Sequence, residues 1–285
     1  MSGRRVATVL THRRAGETEA ALAALMGAAR RAGVTLRFDA EETRKHRLRA
    51  SDRIDVDVAL SHDVELCVVM GGDGTILTAL RAYANTGVPV FAVNFGEVGF
   101  LATLDPDGLD ADFERAFSGE FDRLELPGIT LGRPEASWTA MNDISVHRKP
   151  GFRVADLAYA LAGEEIGRVR CDGLVVSTPQ GSTGYNLANG GPILAWGVAG
   201  FVVSFIAPHS LTARSLVVAP DDLLTIDNRS REEPVEVHAD GRPVVELQPG
   251  EAIDVEFART TAVLAQLPGA SFYHRLRERF GRLAR

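Results

Sequence analysis

The residues with the clearest potential for chemistry follow a predicted buried strand. The segment Gly71-Gly72-Asp73-Gly74-Thr75 comes after the apolar run 64–70 and before a stretch with helical periodicity. Glycines permit a close approach that a Cβ would block, and free amides at a helix start can hold a phosphate. A carboxylate beside a phosphate is unfavourable unless it binds a metal or accepts a proton from a nucleophile. Asp73 is therefore a candidate proton acceptor, although a tight turn in which Asp73 caps the helix fits the same residues.

A second polar cluster follows another predicted strand, residues 174–177. Residues 178–186 (Thr-Pro-Gln-Gly-Ser-Thr-Gly-Tyr-Asn) lead to Asn189-Gly190-Gly191-Pro192. Hydroxyls and small residues around Tyr185 suit a flat, polar small molecule, and a Ser/Thr/Gly loop with a core tyrosine is the alternative. A serine nucleophile is not expected, because there is no Gly-x-Ser-x-Gly elbow and no histidine stands at triad-like or metal-ligand spacing.

Two further segments are candidates. The adjacent amide and carboxylate of Asn142-Asp143 can accept hydrogen bonds from the vicinal hydroxyls of a ribose, whereas an Asx turn entering a strand is the alternative. The segment 94–100 (Asn-Phe-Gly-Glu-Val-Gly-Phe) lacks the spacing and the acidic partner of a dinucleotide fingerprint. We interpret it as a turn that closes one wall of a ligand cleft, with a purely structural turn as the alternative.

Two patterns of periodicity must position these residues. Up to about residue 118, strand-like and helix-like stretches alternate, which predicts a parallel sheet with helices on both faces. The predicted strands are 6–10, 34–38, 64–70 and 88–94, and the predicted helices are 17–31, 75–85 and 106–117. From about residue 120, short β-branched runs between turn residues predict a mostly antiparallel second domain. These runs are 129–131, 144–147, 157–162, 174–177, 202–206, 223–226, 235–238 and 253–257.

The predicted division of the chain follows from this change of pattern. We expect an N-terminal α/β domain over residues 1–119 and a β-rich domain over residues 120–268. Residues 269–285 form a predicted C-terminal helix that packs back on the first domain. Residues 41–57 carry many charges and few apolar side chains, so we predict a mobile loop there.

Composition excludes several classes of protein. The net charge is −7, from 31 basic and 38 acidic residues, which disfavours nucleic acid as a partner. Only Lys45 and Lys149 are lysines, and neither follows a glycine-rich loop, so the common nucleotide-hydrolase phosphate loop is absent. There is no apolar run long enough to span a membrane. The two cysteines, Cys67 and Cys171, lie in or beside apolar runs, which favours reduced thiols and a cytoplasmic protein.

Together the polar segments resemble the motifs of the NAD kinase family, whose members phosphorylate the adenosine ribose of NAD to make NADP. Residues 71–75 match the family's GGDGT motif, and Asn142-Asp143 matches its Asn-Glu/Asp pair. Residues 172–186 are similar to its DG…STPTGSTAYN stretch, and residues 190–192 to the GGP that follows.

The resemblance covers about residues 66–245, because residues 208–212 and 238–241 are also similar to family segments. GGDGT alone occurs in lipid kinases and phosphofructokinases as well, whereas the ordered set is specific. Gln180 and Gly184 depart from the family, which usually has threonine and alanine at these positions. Neither departure removes a reacting group, so they affect fine specificity rather than the class of reaction.

The resemblance implies a fold and a mechanism. The fold is an NAD kinase-like two-domain fold with the cleft between the domains. The reaction is phosphorylation of the 2′-hydroxyl of the adenosine ribose of NAD with ATP or polyphosphate, and Asp73 is the catalytic proton acceptor. A divalent metal, Mg²⁺, is expected to be held mainly through the nucleotide, with no residue assigned to it. Family members form dimers or tetramers in which a neighbouring subunit completes the NAD site, and we expect a homodimer or homotetramer.

The resemblance also assigns site residues. Those expected to hold the phosphate donor are Gly71, Gly72, Gly74 and Thr75. Those expected to bind NAD are Asp73, Gly74, Asn142, Asp143, Arg153, Arg170, Asp172, Gln180, Thr183, Gly184, Tyr185, Asn186, Ala188 and Arg242. Three alternatives remain at this point: a lipid or sphingoid-base kinase of the same superfamily, a non-catalytic NAD(P) sensor and a hydride-transfer enzyme. The lipid kinase should lack the second and third motifs, the sensor has no need of Asp73, and the hydride-transfer enzyme lacks its fingerprint.

Overall fold

The computed structural model describes residues 4–95, 99–102, 104, 108–133, 136–269 and 271–281, apart from the side chains of residues 278 and 279. In chain order the elements are β1 (Val6–Thr11), α1 (Ala15–Ala32), β2 (Thr35–Arg37), α2 (Ala40–His46), β3 (Ile54–Asp55), β4 (Leu66–Gly71), α3 (Asp73–Ala82), β5 (Pro89–Asn94), α4 (Leu109–Ser118), β6 (Asp122–Arg133), β7 (Ala136–Ala140), β8 (Asp143–Arg148), β9 (Ala155–Leu161), β10 (Glu164–Cys171), β11 (Gly173–Ser177), a 3-10 helix (Gln180–Thr183), α5 (Tyr185–Ala188), β12 (Phe201–Ile206), β13 (Leu216–Val218), β14 (Leu224–Asn228), β15 (Val235–Ala239), β16 (Arg242–Leu247), β17 (Ala252–Gln266) and α6 (Phe272–Phe280).

The chain divides into two compact units. The first contains Met1–Glu125 and Ala262–Arg285, and the second contains Leu126–Thr261. Both ends of the chain therefore belong to the first unit. In the part of the chain that the structure describes, no helix is long and apolar enough to cross a membrane.

The first unit is built on a parallel sheet. Its strands lie in the order β5-β4-β1-β2-β3, and the end of β17 pairs in parallel with the outer side of β5. Every residue of β4 is buried, as expected for a strand covered on both faces. Leu25 of α1 and Phe113 of α4 belong to the same buried cluster as Val68 and Met70 of β4, and α3 packs against β4 and β5. The predicted α/β domain with helices on both faces of a parallel sheet is confirmed.

Residues 41–57 contradict their prediction as a mobile loop. They contain most of α2 and the short strand β3, which extends the sheet. The Asp39 carboxylate caps α2 by accepting from the Glu42 amide at 2.8 Å. Glu42 is buried, and its carboxylate accepts from the amide and hydroxyl of Thr11 and from Lys45. The prediction was wrong because it treated every charge as solvated, whereas Glu42 has buried partners that offset its desolvation.

The second unit is a β-sandwich. One sheet runs in the order β10-β9-β14-β17, with β6 and β7 beyond β17, and the other runs β13-β12-β11-β8-β15-β16. The described pairs within this unit are antiparallel. The core lies between the sheets, with Ile144 and Val146 from one and Val169 and Cys171 from the other. The predicted β-rich domain is confirmed. Strands β7, β10, β13 and β16 were not predicted, since they are short or carry few buried apolar residues.

The C-terminal helix α6 belongs to the first unit. Ser271 caps it by accepting from the His274 amide at 3.1 Å. Arg275, which is buried, donates to the carbonyl oxygen of Phe100. The ring of Phe100 also contacts that of Phe280, with centroids 6.2 Å apart. Helix α6 therefore packs on the segment that follows β5.

Candidate functional site

The glycine-rich turn lies at the carboxyl end of β4, where ligands bind in open α/β sheets. Gly72 is the N-cap of α3 and supplies no side-chain cap, and its carbonyl accepts from the amides of Thr75 and Ile76. Asp73 is the first residue of the helix rather than its cap, so the alternative role as a capping residue is not what the structure contains. A Cβ on Gly71 would lie 2.7 Å from Thr75, so the turn requires glycine there.

The Asp73 carboxylate is held by the segment after β5. Oδ2 accepts from the amide of Phe100 at 2.9 Å, and Oδ1 accepts from that of Leu101 at 3.1 Å. A Cβ on Gly99 would lie 2.0 Å from Oδ1, so glycine is needed for this approach. The second predicted glycine turn, residues 94–100, therefore orients Asp73 through its last residues. Residues 96–98 lie outside the described part of the chain, so the predicted cleft wall is not addressed there.

In the second unit, the Asn142-Asp143 pair forms a turn that enters β8. The carbonyl oxygen of Asn142 accepts from the Thr178 amide at 2.9 Å, and that of Met141 accepts from the Thr178 hydroxyl at 2.8 Å. A Cβ on Gly181 would lie 2.0 Å from the Asn142 carbonyl oxygen. The loop after β11 is thus packed directly against this turn. The side-chain oxygen Oδ1 of Asn142 is buried and has no protein partner, which leaves an acceptor for a ligand hydroxyl.

Asp143 is the most perturbed carboxylate of this unit. It is only 8% exposed. Burial, and secondarily the negative charge of Asp240, raise its pKa to about 7. A carboxyl group that is half ionised near neutral pH can accept from two hydroxyls when ionised, and a bound polyol would stabilise that form.

Two of the predicted NAD-binding residues, Gln180 and Asn186, form hydrogen bonds that hold the loop after β11 in place. Both hydrogen bonds of the buried Gln180 amide go to backbone carbonyls, those of Pro127 (2.6 Å) and Met141 (2.5 Å). The buried Asn186 amide donates to the carbonyls of Ser182 (3.0 Å) and Pro192 (2.9 Å). Both side-chain amide nitrogens therefore bind backbone carbonyls. A hydrogen bond from the Gln180 side-chain nitrogen to an adenine edge is not available in this conformation.

The same loop presents an aromatic face at its surface. Tyr185 is 37% exposed. Its ring stacks on that of His147, with the ring centroids 5.7 Å apart and an angle of 13° between the ring planes. The ring of His238 contacts that of His147 edge-on, with centroids 4.9 Å apart. Burial, followed by the charges of Asp143 and Asp172, raises the pKa of Tyr185. Gly184 and Ala188 beside it are also exposed, and Thr183 is half-buried. The structure brings these residues together with Asp143 and Asp172.

Two of the three predicted arginines, Arg153 and Arg170, lie elsewhere on the unit. Arg170 alternates along β10 with the core residues Val169 and Cys171 and therefore faces outward from the opposite sheet. It lines a polar cavity of about 420 Å³ together with Arg153, Arg168 and Arg231. Ser145 and His147 face outward from the sheet that contains β8, where Ile144 and Val146 enter the core. Arg153 and Arg170 thus do not join Asp143 and Tyr185 within one chain. Arg242 is exposed at the start of β16, and Asp172 pairs with Arg148 at 2.5 Å.

Sequence reasoning missed two side chains of this region as site residues. His147 supports Tyr185 by ring contact, and burial followed by the charge of His238 lowers its pKa. Asp240 accepts from the amides of the Asn142-Asp143 turn. Neither has a local signal in the sequence, because each contact joins segments that are far apart along the chain.

The donor set fits magnesium only together with a nucleotide. Among the described residues, no three His, Cys, Asp or Glu side chains converge to hold a metal ion. Magnesium usually keeps several waters and binds through one or two carboxylates plus substrate phosphates. Asp73 is a carboxylate at the glycine-rich turn. One carboxylate at the turn therefore fits a magnesium ion that is held mainly by the phosphates of its nucleotide.

Comparison with known families gives matches for both units. A family model described as the ATP-NAD kinase N-terminal domain matches residues 4–121. A second, the ATP-NAD kinase C-terminal domain, matches residues 141–267. The two matches follow each other in the order that the sequence motifs predict.

Curated relatives and solved structures agree with these matches. The NAD kinase of Lachnoclostridium phytofermentans is 35% identical over 77% of this chain and 81% of its own length. That of Symbiobacterium thermophilum is 35% identical over 76% of this chain and 78% of its own. A crystal structure of an Archaeoglobus fulgidus NAD kinase in complex with ATP superposes with TM-score 0.73 at 25% identity, covering 98% of both chains. A yeast NADH kinase complexed with NADH superposes with TM-score 0.85, covering 97% of this chain and 87% of its own, and at 24% identity it shows the fold alone.

Proposed function

The chain belongs to the NAD kinase family, and from that premise we propose that it phosphorylates NAD to NADP with ATP, using Asp73 as the proton acceptor. The acceptor group is the 2′-hydroxyl of the adenosine ribose. The observation that carries the proposal is the Asp73 carboxylate, which stands at the first position of α3 with each oxygen fixed by one backbone amide. A carboxylate oxygen accepts about two hydrogen bonds, so capacity remains for a ribose hydroxyl.

The reaction needs few protein groups. As the 2′-oxygen attacks the γ-phosphorus of ATP, its proton passes to Asp73, and the bond between the γ-phosphorus and the bridging oxygen breaks to release ADP. The amides of Phe100 and Leu101 fix the carboxylate orientation, and a general base must be within hydrogen-bond reach of the proton that it takes. Phosphoryl transfer otherwise depends on positioning and charge stabilisation.

We place the donor phosphates at the turn formed by Gly71, Gly72, Gly74 and Thr75. Helix α3 has no side-chain cap, so its first amides are available to an anion. Gly74 is exposed, and no atom lies within 4 Å of where its Cβ would be, which leaves room for a phosphate. Magnesium bound with the nucleotide would neutralise phosphate charge there, with Asp73 as the neighbouring carboxylate. ATP is the donor, and the use of polyphosphate stays a prediction.

We place the acceptor at the second polar cluster. Asn142 Oδ1 and the Asp143 carboxylate accept from the vicinal hydroxyls of a ribose, and Tyr185 stacks on a base. The orphaned Asn142 oxygen and the exposed ring of Tyr185 support this assignment. The other residues that we expect to line the NAD site are Asp73, Gly74, Asp172, Thr183, Gly184, Ala188 and Arg242. Gln180 and Asn186 act from behind the loop, since their amides hold its backbone.

Arg153 and Arg170 are best explained by assembly. Arg170 faces outward from the sheet opposite to that of Asp143, and Arg153 lines the same cavity as Arg170, so both would contact the NAD of a neighbouring chain in a homodimer or homotetramer. We also place the enzyme in the cytoplasm, because both cysteines are buried free thiols.

The decisive experiment compares acceptors and donors. Purified full-length protein with Mg²⁺ is supplied with NAD or with a lipid alcohol in anionic vesicles, and with ATP or polyphosphate. We expect NADP to form with ATP, and we expect the protein to remain in the supernatant when the vesicles are sedimented. Phosphorylated lipid as the only product would contradict the proposal in favour of a lipid kinase. Binding of NAD without any phosphoryl transfer would favour a sensor.

A further inference from the structure

Asp240 is a half-buried residue that is bound to the acceptor turn, and the proposed reaction leaves it without a role. Its Oδ2 accepts from the amide of Met141 at 3.0 Å, and its Oδ1 accepts from those of Asn142 at 2.7 Å and Asp143 at 3.2 Å. In return, the Asp240 amide donates to the Asp143 carbonyl oxygen at 2.8 Å. One residue thus gathers three consecutive amides of the turn that carries Asn142 and Asp143.

The two sides of this turn are held by different segments. Its carbonyl oxygens, those of Met141 and Asn142, accept from the loop after β11 through Thr178 and Gln180. Its amides are gathered by Asp240 from the hairpin of β15 and β16. A carboxylate is the side chain best suited to the amide side, because both of its oxygens only accept.

The hairpin is shaped to deliver this carboxylate. Asp240 and Gly241 form the two-residue connection between β15 and β16. Their φ angles are +48° and +72°. A two-residue hairpin turn with positive φ at both positions favours Asp-Gly, because aspartate tolerates the left-handed region better than most residues and glycine adopts it freely. Another side chain at position 240 would meet both the conformational and the hydrogen-bonding requirement less well.

We propose that Asp240 is a positioning residue for NAD: it fixes the Asn142-Asp143 turn so that Asn142 Oδ1 and the Asp143 carboxylate are held in place for the ribose hydroxyls. The inference rests on the proposed function, because it takes the ligand of that turn to be NAD. Asp240 acts through the turn and touches neither substrate nor reacting atoms.

The electrostatics of the turn provide a readout that a purely structural role would not affect. The charge of Asp240 contributes to the raised pKa of Asp143, after burial. The other titratable groups around Asp143 are Tyr185 on α5, whose pKa Asp143 and Asp172 both raise, the ring of His147 stacked on Tyr185, and the ring of His238 edge-on to His147. Removing the charge at position 240 while leaving these groups in place should lower the pKa of Asp143.

The test is Asp240→Asn in the full-length protein, with Asp254→Asn as the matched control. Asp254 lies on β17 of the same unit, where it accepts from the exposed Thr225 hydroxyl. In Asp240→Asn one oxygen becomes an amide donor that faces backbone donors, so the turn loses part of its anchor. We expect the Kd for NAD, measured by calorimetry, to rise about tenfold or more, while kcat at saturating NAD and the Kd for ATP change by less than about threefold. The acidic limb of the pH profile of kcat/KM for NAD should move to lower pH.

Several outcomes would overturn the inference. They are unchanged NAD affinity, equal losses for NAD and ATP, or an acidic limb that stays in place. Should Asp240→Asn fail to fold, Gly241→Ala keeps the carboxylate but strains the residue beside it, and an added Cβ meets no atom within 4 Å. Weaker NAD binding in Gly241→Ala would support the inference, and unchanged NAD binding would overturn it. Wild-type protein that forms no NADP would instead refute the proposed function, so the two failures are distinguishable.

Discussion

Replacing Asp73 with asparagine removes the proposed proton acceptor and nearly preserves its shape. In the wild-type protein the two carboxylate oxygens accept from the amides of Phe100 and Leu101 at 2.9 and 3.1 Å. The asparagine oxygen can replace one of these acceptors, while its NH2 group must face the other amide. Loss of a hydrogen bond to a charged acceptor costs about 1.5–3 kcal/mol, and this cost falls on the loop rather than on the reaction.

The cost to the reaction is larger. A lost general base lowers the rate by about 10²–10⁴-fold, which corresponds to about 3–5 kcal/mol of transition-state stabilisation. We therefore expect Asp73→Asn to lower kcat by about 10²–10⁴-fold in a coupled assay of NADP formation. The Kd for NAD, measured by calorimetry, should change only a few-fold.

The matched control separates the base from its supporting loop. Arg275→Met removes the side chain that donates to the carbonyl oxygen of Phe100 but leaves Asp73 in place. It should lower the melting temperature and keep kcat within about tenfold of wild type. Turnover above a tenth of wild type in Asp73→Asn would refute the assignment of the base. An equal loss in both variants would show that loop position, and not proton transfer, limits the rate.

Three further predictions concern the acceptor site. Tyr185→Ala should weaken NAD binding by about 1–3 kcal/mol, the value of a base–aromatic stack, with ATP affinity unchanged; calorimetry measures both, and Tyr273→Ala on the exposed side of α6 is the control. The pKa of Asp143, about 7, predicts that kcat/KM for NAD rises from pH 6 to pH 8 as the carboxylate ionises, and that Asp143→Asn removes this rise. This pKa is higher than the unfolded value of about 3.9, so the stability that the protonated carboxyl contributes is lost as the pH rises through 7. The melting temperature of Asp143→Asn relative to that of the wild type should therefore increase from pH 4 to pH 8. Gln180→Thr, which restores the usual family residue, should lower the free energy of unfolding by about 1–3 kcal/mol in a denaturant titration. The buried carbonyl of Pro127 loses the Gln180 donor, and that of Met141 keeps only the Thr178 hydroxyl.

The fold could be predicted where hydrophobic periodicity was strong. The run 64–70 gave β4 because a strand covered on both faces is apolar throughout, and the alternating pattern of residues 144–147 gave β8. The prediction of a mobile loop over residues 41–57 was wrong, because the buried partners of Glu42 come from β1 and from its own helix. Strand β10 failed because its outward face is charged and only Val169 and Cys171 enter the core. Local composition contains no record of such distant partners.

Within the site, the sequence motifs identified the right segments of the chain, but they did not identify the role of each residue in those segments. Asp73 and Tyr185 stand where a ligand can reach them, at the start of α3 and on the exposed surface of the loop. Gln180 and Asn186 belong to the same motif, yet their amides hold backbone carbonyls. A run of polar residues does not reveal which side chains bind a ligand and which hold the loop. A loop that exposes some polar side chains to a ligand needs others to form hydrogen bonds with its buried backbone groups.

Asp240 illustrates the same limit from the opposite direction. It was noted as part of a family segment without a role, because its partners are backbone amides about a hundred residues earlier in the chain. Backbone amides are the same at every position, so no choice of residue at 141–143 reveals that a carboxylate is needed there. The readable sign is the Asp-Gly turn between two strands, which predicts a hairpin but not the target of its side chain. Residues that position a site through the backbone are therefore the ones that sequence reasoning is least able to find, and they become identifiable once the register of β15 against β8 is known.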